Sequence, residues 1–133
     1  GLTARLVDQY DELSPEHAGG QRVNGRMTLG ENIGDLGGLG IAYQAWLLSG
    51  GEPGGELIDG FTPAQRFFLG WAAAWRSKHR PEAVKLRLTN DVHSPAEFRC
   101  NQVVKNVPEF HESFGVSEGD GLWLAPEDRV RIW

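Results

Sequence analysis

Apolar residues recur three and four positions apart along much of this sequence, a spacing that places them on one face of an α-helix. The longest such pattern covers residues 31–48, and the Gly-rich stretch 49–55 ends it. A second long helix is predicted for residues 62–78, because Thr62 is a favourable N-cap and Pro63 a favourable first-turn residue. The residues on the two apolar faces are Ile33, Leu36, Leu39, Tyr43, Trp46 and Leu47 in the first helix and Phe67, Trp71 and Trp75 in the second.

Shorter patterns predict four further helices, within residues 3–13, 82–88, 94–105 and 106–115. The helix of residues 94–105 has capping-box spacing, with Ser94 as the N-cap and Glu97 three residues later. The pair Asn24-Gly25 is typical of a two-residue hairpin turn between short strands. The sequence therefore predicts a mainly α fold with short hairpin and loop segments. A single domain is expected, because no repeat or linker divides the chain.

Charge and hydropathy restrict the kinds of partner. The 133 residues carry 13 Lys and Arg against 18 Asp and Glu, a net charge of -5. No basic run is present that could neutralise a phosphate backbone, so no nucleic-acid partner is expected. The longest largely apolar stretch, residues 36–48, is shorter than the roughly 20 residues of a spanning helix, so a soluble chain is expected.

The single cysteine and the first residue bear on the compartment. Cys100 cannot form an internal disulfide, and no motif places a base beside it, so a small buried side chain is expected rather than a nucleophile. The sequence begins with Gly1 instead of methionine, which is typical of a cut end. The compartment is therefore left open.

Glu31 and Asp35 stand four residues apart at the start of the first, otherwise apolar helix. Residues at this spacing lie on one helix face, and two like charges there are unfavourable by roughly 0.2–0.5 kcal/mol. A cation or a hydrogen-bond donor beside the pair removes that cost. The dipole and free amides of a helix N-terminus also favour anions. Considered alone, the pair therefore favours a structural explanation.

The residues around this pair, from Gly30 to Leu39, read Gly-Glu-Asn-Ile-Gly-Asp-Leu-Gly-Gly-Leu. This segment resembles the third-ligand helix of the neprilysin and endothelin-converting-enzyme family of gluzincin zinc metallopeptidases. In that family a Glu-x-x-x-Asp pair is followed by Gly-Gly. The resemblance implies that Glu31 binds zinc and that Asp35 orients a zinc-binding histidine from another helix, since a carboxylate that accepts the free N–H of a histidine fixes its tautomer.

A second match covers residues 90–99, which read Asn-Asp-Val-His-Ser-Pro-Ala-Glu-Phe-Arg. The family carries Asp-x-His-Ser-Pro with an arginine six residues after the histidine. The resemblance implies that His93 donates to the oxyanion of the tetrahedral intermediate and that Arg99 holds a substrate carbonyl. Donors aimed at developing negative charge stabilise the transition state more than the ground state. Considered singly, each of these two residues is more often structural or solvated.

The resemblance also implies that Ala74 and Trp75 border the pocket for the side chain that follows the cleaved bond. Trp75 is equally compatible with a place in the hydrophobic core. The remaining histidines match no ligand motif and are expected to be exposed; they are His17, His79 and His111.

Gly30, Gly34 and Gly38 leave a smooth strip on the first helix, where another backbone could approach closely. Each interior glycine costs about 0.5–1 kcal/mol relative to alanine, so the spacing is unfavourable unless close packing compensates. The resemblance implies that the occupant is a helix bearing His-Glu-x-x-His, which supplies two zinc ligands and the general base. That motif occurs nowhere in the 133 residues. We expect the strip to be covered by a second copy of the chain or by rearrangement.

The resemblance runs essentially end to end. It implies that residues 1–133 are the C-terminal portion of a zincin-type metallopeptidase catalytic domain, without the part that bears His-Glu-x-x-His. The longer protein, here called the parent, is expected to hydrolyse peptide bonds of small peptides with one zinc ion. This chain alone is expected to bind zinc poorly and to be inactive, because catalytic zinc needs three protein ligands. Mammalian members have a cysteine near the C-terminus, whereas Val116 and Val130 stand here where a bridged pair is expected, so the resemblance implies a bacterial-type member, cytoplasmic or secreted.

Two other functions are compatible with the residues. One is a non-catalytic helical interaction module that has lost its metal site. The other is an unrelated hydrolase that uses Glu31 and Asp35 as a carboxylate pair, which requires both acids to lie in an open cleft.

Overall fold

The computed structural model describes residues 1–133 as six α-helices and one 3-10 turn joined by loops, with no β-strand. The helices are α1 (Leu2–Asp11), α2 (Gly25–Leu48), α3 (Pro63–Ala74), α4 (Pro81–Asn90), α5 (Ala96–Lys105) and α6 (Pro108–Phe114). The 3-10 turn is Pro126–Asp128, and an isolated bridge joins Ile58 to Phe61. The predicted mainly α fold is confirmed, and every predicted helix is present.

The predicted hairpin at Asn24-Gly25 is wrong, because these residues begin α2. The Asn24 side chain accepts a hydrogen bond from the backbone N–H of Met27 at 2.9 Å, which makes it the N-cap. The backbone N–H of Gly25 donates to Asp11 Oδ1 at 2.7 Å. A Cβ atom at Gly25 would lie 2.4 Å from the carbonyl oxygen of Val7, so glycine here permits the close approach of α1 and α2. The helix therefore starts six residues before its apolar pattern does.

Two other helix starts show where local capping signals succeed and fail. Thr62 caps α3 as predicted, and Gln65 completes a capping box with it. The predicted capping box of Ser94 and Glu97 is wrong: α5 begins at Ala96 with no side-chain cap. Ser94 is instead buried and donates its hydroxyl to Asn32 of α2 at 2.7 Å. The hydroxyl thus forms a tertiary contact in place of a local one.

The hydrophobic core is built around α2. Its apolar face packs against α1 and α5. The aromatic residues of α3 and α6 pack against the C-terminal half of α2. The C-terminal tail completes the core, since Val130 is fully buried and the indole of Trp133 lies over Gly37. The fourteen buried core residues are Leu6, Tyr10, Ala18, Val23, Leu36, Leu39, Tyr43, Phe68, Leu88, Val103, Val104, Val107, Phe110 and Val130.

The opposite face of α2 is bare. Gly30, Gly34 and Gly38 are exposed, and a Cβ atom built on any of them meets nothing within 4 Å. Further along the helix, Ile41 is 57% exposed and Leu48 is 89% exposed. No segment of the chain covers the glycine strip. No helix is both long enough and apolar enough to cross a bilayer.

His17 and His79 are exposed as predicted, but the prediction for His111 is wrong. His111 is 5% exposed, and its Nε2–H donates to the carbonyl oxygen of Lys105 at 2.8 Å. This contact joins α6 to the end of α5. Cys100 is partly buried, and burial raises the pKa of its thiol, which agrees with a packing role.

Candidate active site

The structure brings together the polar residues that the two motifs predicted. Glu31 and Asp35 lie one turn apart on α2, His93 lies in the loop between α4 and α5, and Arg99 lies in the first turns of α5. Polar contacts of 2.7, 3.2 and 3.8 Å link all four, although the two motifs lie more than 50 residues apart in the sequence. The site therefore forms where α2 meets the start of α5.

Asp35 and Arg99 form a bidentate ion pair. Arg99 Nε donates to Asp35 Oδ2 at 2.7 Å, and its Nη2 donates to Oδ1 at 2.8 Å. Both side chains are largely buried, with exposed fractions of 10% for Asp35 and 18% for Arg99. The hydrogen bonds from Arg99 to Asp35 raise the pKa of the guanidinium. The guanidinium also stacks 4.1 Å from the centre of the Trp75 ring. Arg99 is therefore held from two sides.

His93 lies between two carboxylates. Its Nδ1 is 2.7 Å from Asp91 Oδ1, and its Nε2 is 3.2 Å from Glu31 Oε2. Asp91 Oδ1 also accepts the backbone N–H of His93 at 2.9 Å. The backbone and ring hydrogen bonds from His93 lower the pKa of Asp91. Asp91 fixes the ring so that Nε2 faces the bare side of α2.

Asp91 is a candidate functional residue that the sequence analysis did not assign. It belongs to the Asp-x-His-Ser-Pro motif, but only His93 received a role there. The signal was available, because an aspartate can accept the backbone N–H two residues later in an Asx-turn. The second hydrogen bond, to the imidazole, becomes visible only when the loop geometry is known.

Glu31 has the most open position of the three carboxylates. Its side chain is 43% exposed on the face of α2 that carries the glycine strip, and Arg99 Nη2 lies 3.8 Å away. A carboxylate oxygen is a suitable zinc ligand, but catalytic zinc takes three protein ligands. No group of three or more His, Cys, Asp or Glu side chains in the chain could hold a metal ion. Among these residues the chain offers Glu31 as an open carboxylate, and it does not by itself form a three-ligand site.

A cleft with a volume of about 380 Å³ opens beside His93 and Arg99. Ala74 and Trp75, at the end of α3, form part of its wall. The Trp75 ring is partly buried beneath Arg99 and lines the cleft, so it does not belong to the main core. The two residues predicted to border a substrate pocket thus share one cleft with the two predicted donors.

The carboxylate-pair hydrolase is not supported by this geometry. It requires Glu31 and Asp35 to lie in an open cleft as two acids with separate roles. Both oxygens of Asp35 are instead occupied by Arg99, and the side chain is almost buried. Asp35 acts here as the partner of a cation.

The fold is that of solved zinc metalloproteases. The zinc metalloprotease Zmp1 of Mycobacterium tuberculosis, solved in complex with an inhibitor, matches with a TM-score of 0.93 and 50% sequence identity. The match covers 99% of this chain and 21% of that chain. Almost the whole of this chain therefore has the same fold as one part of that protein.

Sequence comparison gives the family. A family model described as Peptidase family M13 matches residues 2–130, so the chain belongs to peptidase family M13. Neutral endopeptidase of Lactobacillus helveticus is 39% identical over 129 residues, and human neprilysin is 40% identical over 133 residues. These alignments cover 97% and 96% of the chain but 18% and 17% of the relatives. The resemblance to the neprilysin family is confirmed, and the chain spans about a sixth of the length of these relatives.

Proposed function

We propose that the parent protein is a zinc metalloendopeptidase that hydrolyses peptide bonds of small peptides. This chain is the C-terminal portion of its catalytic domain and contributes one zinc ligand, Glu31. The observation that carries the proposal is that Glu31 contacts His93 and Arg99, and that these two residues line one cleft, in a chain of family M13. Zinc, when bound, supplies an activated water and polarises the scissile carbonyl.

His93 is the proposed oxyanion donor. Asp91 holds the ring through Nδ1, which leaves Nε2 as the nitrogen that faces Glu31 and the open side of the site. When Glu31 is engaged as a metal ligand, the Nε2–H can donate to the negative charge that develops on the substrate oxygen. A fixed donor of this kind stabilises the transition state without reorganisation during the reaction.

Arg99 is the proposed holder of a substrate carbonyl. Asp35 occupies Nε and Nη2, and Trp75 supports the guanidinium plane. Nη1 donates no hydrogen bond within the chain, and Arg99 lines the cleft. Because the guanidinium is already fixed, little side-chain entropy is lost when Nη1 binds a carbonyl.

The bare strip on α2 supports the proposal that an upstream helix of the same protein packs there. A helix bearing His-Glu-x-x-His would add two ligands beside Glu31, and Asp35 would orient one of its histidines through lone pairs that Arg99 leaves free. The isolated chain, with one ligand, is proposed to bind zinc poorly and to be inactive. Its proposed partners are this upstream part and a peptide substrate.

A non-catalytic interaction module is the second candidate. The observation that favours it is the uncovered face of α2, where the exposed side chains of Ile41 and Leu48 lie beside the glycine strip. The upstream sequence of the parent distinguishes the two: a His-Glu-x-x-His favours the peptidase, and its absence favours the module.

The direct test is peptide hydrolysis by the parent protein, measured with an internally quenched peptide. Wild type, Glu31→Gln and Glu52→Gln are compared with and without a zinc chelator; Glu52 is an exposed loop residue outside the site. We expect the chelator and Glu31→Gln each to reduce hydrolysis to background, whereas Glu52→Gln behaves as wild type. Full activity and full zinc content in Glu31→Gln would exclude Glu31 as a ligand.

A further inference from the structure

A buried chain of hydrogen bonds connects α2 to the loop that carries His93. The hydroxyl of Ser94 donates to Asn32 Oδ1 at 2.7 Å, and Asn32 Nδ2 donates to Thr28 Oγ1 at 2.9 Å. The Thr28 hydroxyl donates in turn to the carbonyl oxygen of Asn24 at 3.0 Å. Ser94, Asn32 and Thr28 are 4%, 1% and 2% exposed, so water cannot replace these partners.

The direction of this chain is fixed at its backbone end. Because the Thr28 hydroxyl gives its proton to the Asn24 carbonyl, only its lone pairs face Asn32. The amide nitrogen of Asn32 must therefore point to Thr28, and its oxygen must point to Ser94. The orientation of Asn32 follows from α2 itself, so Ser94 meets a preset acceptor.

The position of this contact matters more than its strength. Asn32 follows Glu31 in the chain, and Ser94 follows His93. The Ser94–Asn32 hydrogen bond therefore lies directly beside the His93–Glu31 contact, in which Nε2 and Oε2 are 3.2 Å apart. It is the only hydrogen bond between residues 91–95 and α2; the His93–Glu31 pair is an exposed contact between a ring nitrogen and a carboxylate. The loop thus has one buried polar attachment to the helix that carries Glu31.

We propose that Asn32 and Ser94 are positioning residues that set the distance from His93 to the Glu31 side of the site. They touch no substrate and act through His93. The inference rests on the proposed peptidase function and identifies which contact aligns its oxyanion donor. Asp91 sets the orientation of the His93 ring. The Ser94–Asn32 hydrogen bond sets the position of the loop that carries His93.

The test uses the parent protein with Ser94→Ala, Asn32→Ala and the double variant. Ser113→Ala is the matched control, because Ser113 also donates a partly buried hydroxyl, to the carbonyl oxygen of Glu109, but lies in α6 away from the site. We expect Ser94→Ala to lower kcat by about 10- to 100-fold, the range typical of partners that orient a site group. KM and zinc content should change little. Because both single variants break the same contact, their effects on kcat should not multiply in the double variant.

Three results would overturn the proposal. They are a Ser94→Ala protein with wild-type kcat, a kcat loss that Ser113→Ala shares, and fully multiplicative losses in the double variant. If the wild-type parent cleaves no peptide, the proposed function fails, and a crystal structure of the Ser94→Ala parent decides this inference separately. A His93 ring displaced from Glu31 supports it, and a ring in the wild-type position contradicts it.

Discussion

Two aspartates hold the two candidate substrate-contacting side chains in place. Asp91 accepts the ring and backbone N–H groups of His93, and Asp35 accepts two N–H groups of Arg99. Asp91 lies in the same motif as its partner His93. Asp35 lies in the motif of Glu31, but its partner Arg99 belongs to the other motif. Charge-assisted hydrogen bonds of this kind are short and directional, so they fix donors more firmly than packing alone.

Replacing Asp91 by Asn tests the first of these contacts. In the parent protein, Asp91→Asn should lower kcat by about 10- to 100-fold with a small change in KM, because the ring loses its charged orienting partner. Steady-state kinetics measure this directly. Exposed Asp8 forms no ion pair or side-chain hydrogen bond, so Asp8→Asn serves as the control. Equal losses of kcat in both variants would contradict a specific role for Asp91.

The same contact predicts a pH dependence of stability. The pKa of Asp91 is lowered on folding from 3.8, so its contribution to the free energy of unfolding is fully present above about that pH. The contribution is lost as the pH falls through the lower folded-state pKa. The difference in stability between wild type and Asp91→Asn, measured by urea unfolding of the chain, should therefore shrink below pH 3.8. A difference that grows with acid would contradict this sign.

The two motifs predicted roles for Glu31, His93 and Arg99 through the family resemblance, because each residue lies in a short run of consecutive residues that matches the family. They did not predict the role of Ser94, since a Ser-x-x-Glu pattern reads equally well as a helix cap. Its actual partner, Asn32, lies 62 residues away, and no local pattern encodes such a contact. The predicted partner of Asp35 was a histidine from outside the chain, whereas the structure adds Arg99 from within it.

Among the helices, α2 combines two functions that place opposite demands on its faces. One face supplies core residues, and the other presents Glu31 beside glycines that leave the backbone accessible. Periodicity predicted the packed face and the C-terminal end of this helix at Leu48. It missed the first six residues, because Asn24-Gly25 is compatible with either a hairpin turn or an N-cap, and the choice depends on the approach of α1.

A larger side chain in the glycine strip should have opposite effects on the isolated chain and on the protein extended upstream. A Cβ at Gly34 or at Gly70 of α3 meets open space, so Gly34→Leu and Gly70→Leu should each stabilise the isolated chain by about 0.5–1 kcal/mol through helix propensity. In a protein extended upstream through the His-Glu-x-x-His helix, only Gly34→Leu should weaken zinc binding, because its side chain occupies the docking strip. Urea unfolding and zinc titration measure the two effects. Unchanged zinc affinity in extended Gly34→Leu would exclude the strip as the docking site.

The molecule as a whole has a complete core but an uncovered functional face. The core closes on α1, α5 and the C-terminal tail, whereas the strip on α2 and the apolar side chains of Ile41 and Leu48 face outwards. The expected rearrangement over the strip is not seen, since no part of the chain lies on it. We propose that the upstream part of the parent covers this face and that the isolated chain self-associates through it.

We propose that this chain holds one zinc ligand, Glu31, of a site that the upstream helix completes. Calorimetric zinc titration of the chain and of the upstream-extended protein, each as wild type and as Glu31→Gln, tests it most directly. We expect tight binding by the extended wild-type protein alone. Equal zinc affinity of the extended wild type and extended Glu31→Gln, or no zinc binding by either, would contradict it.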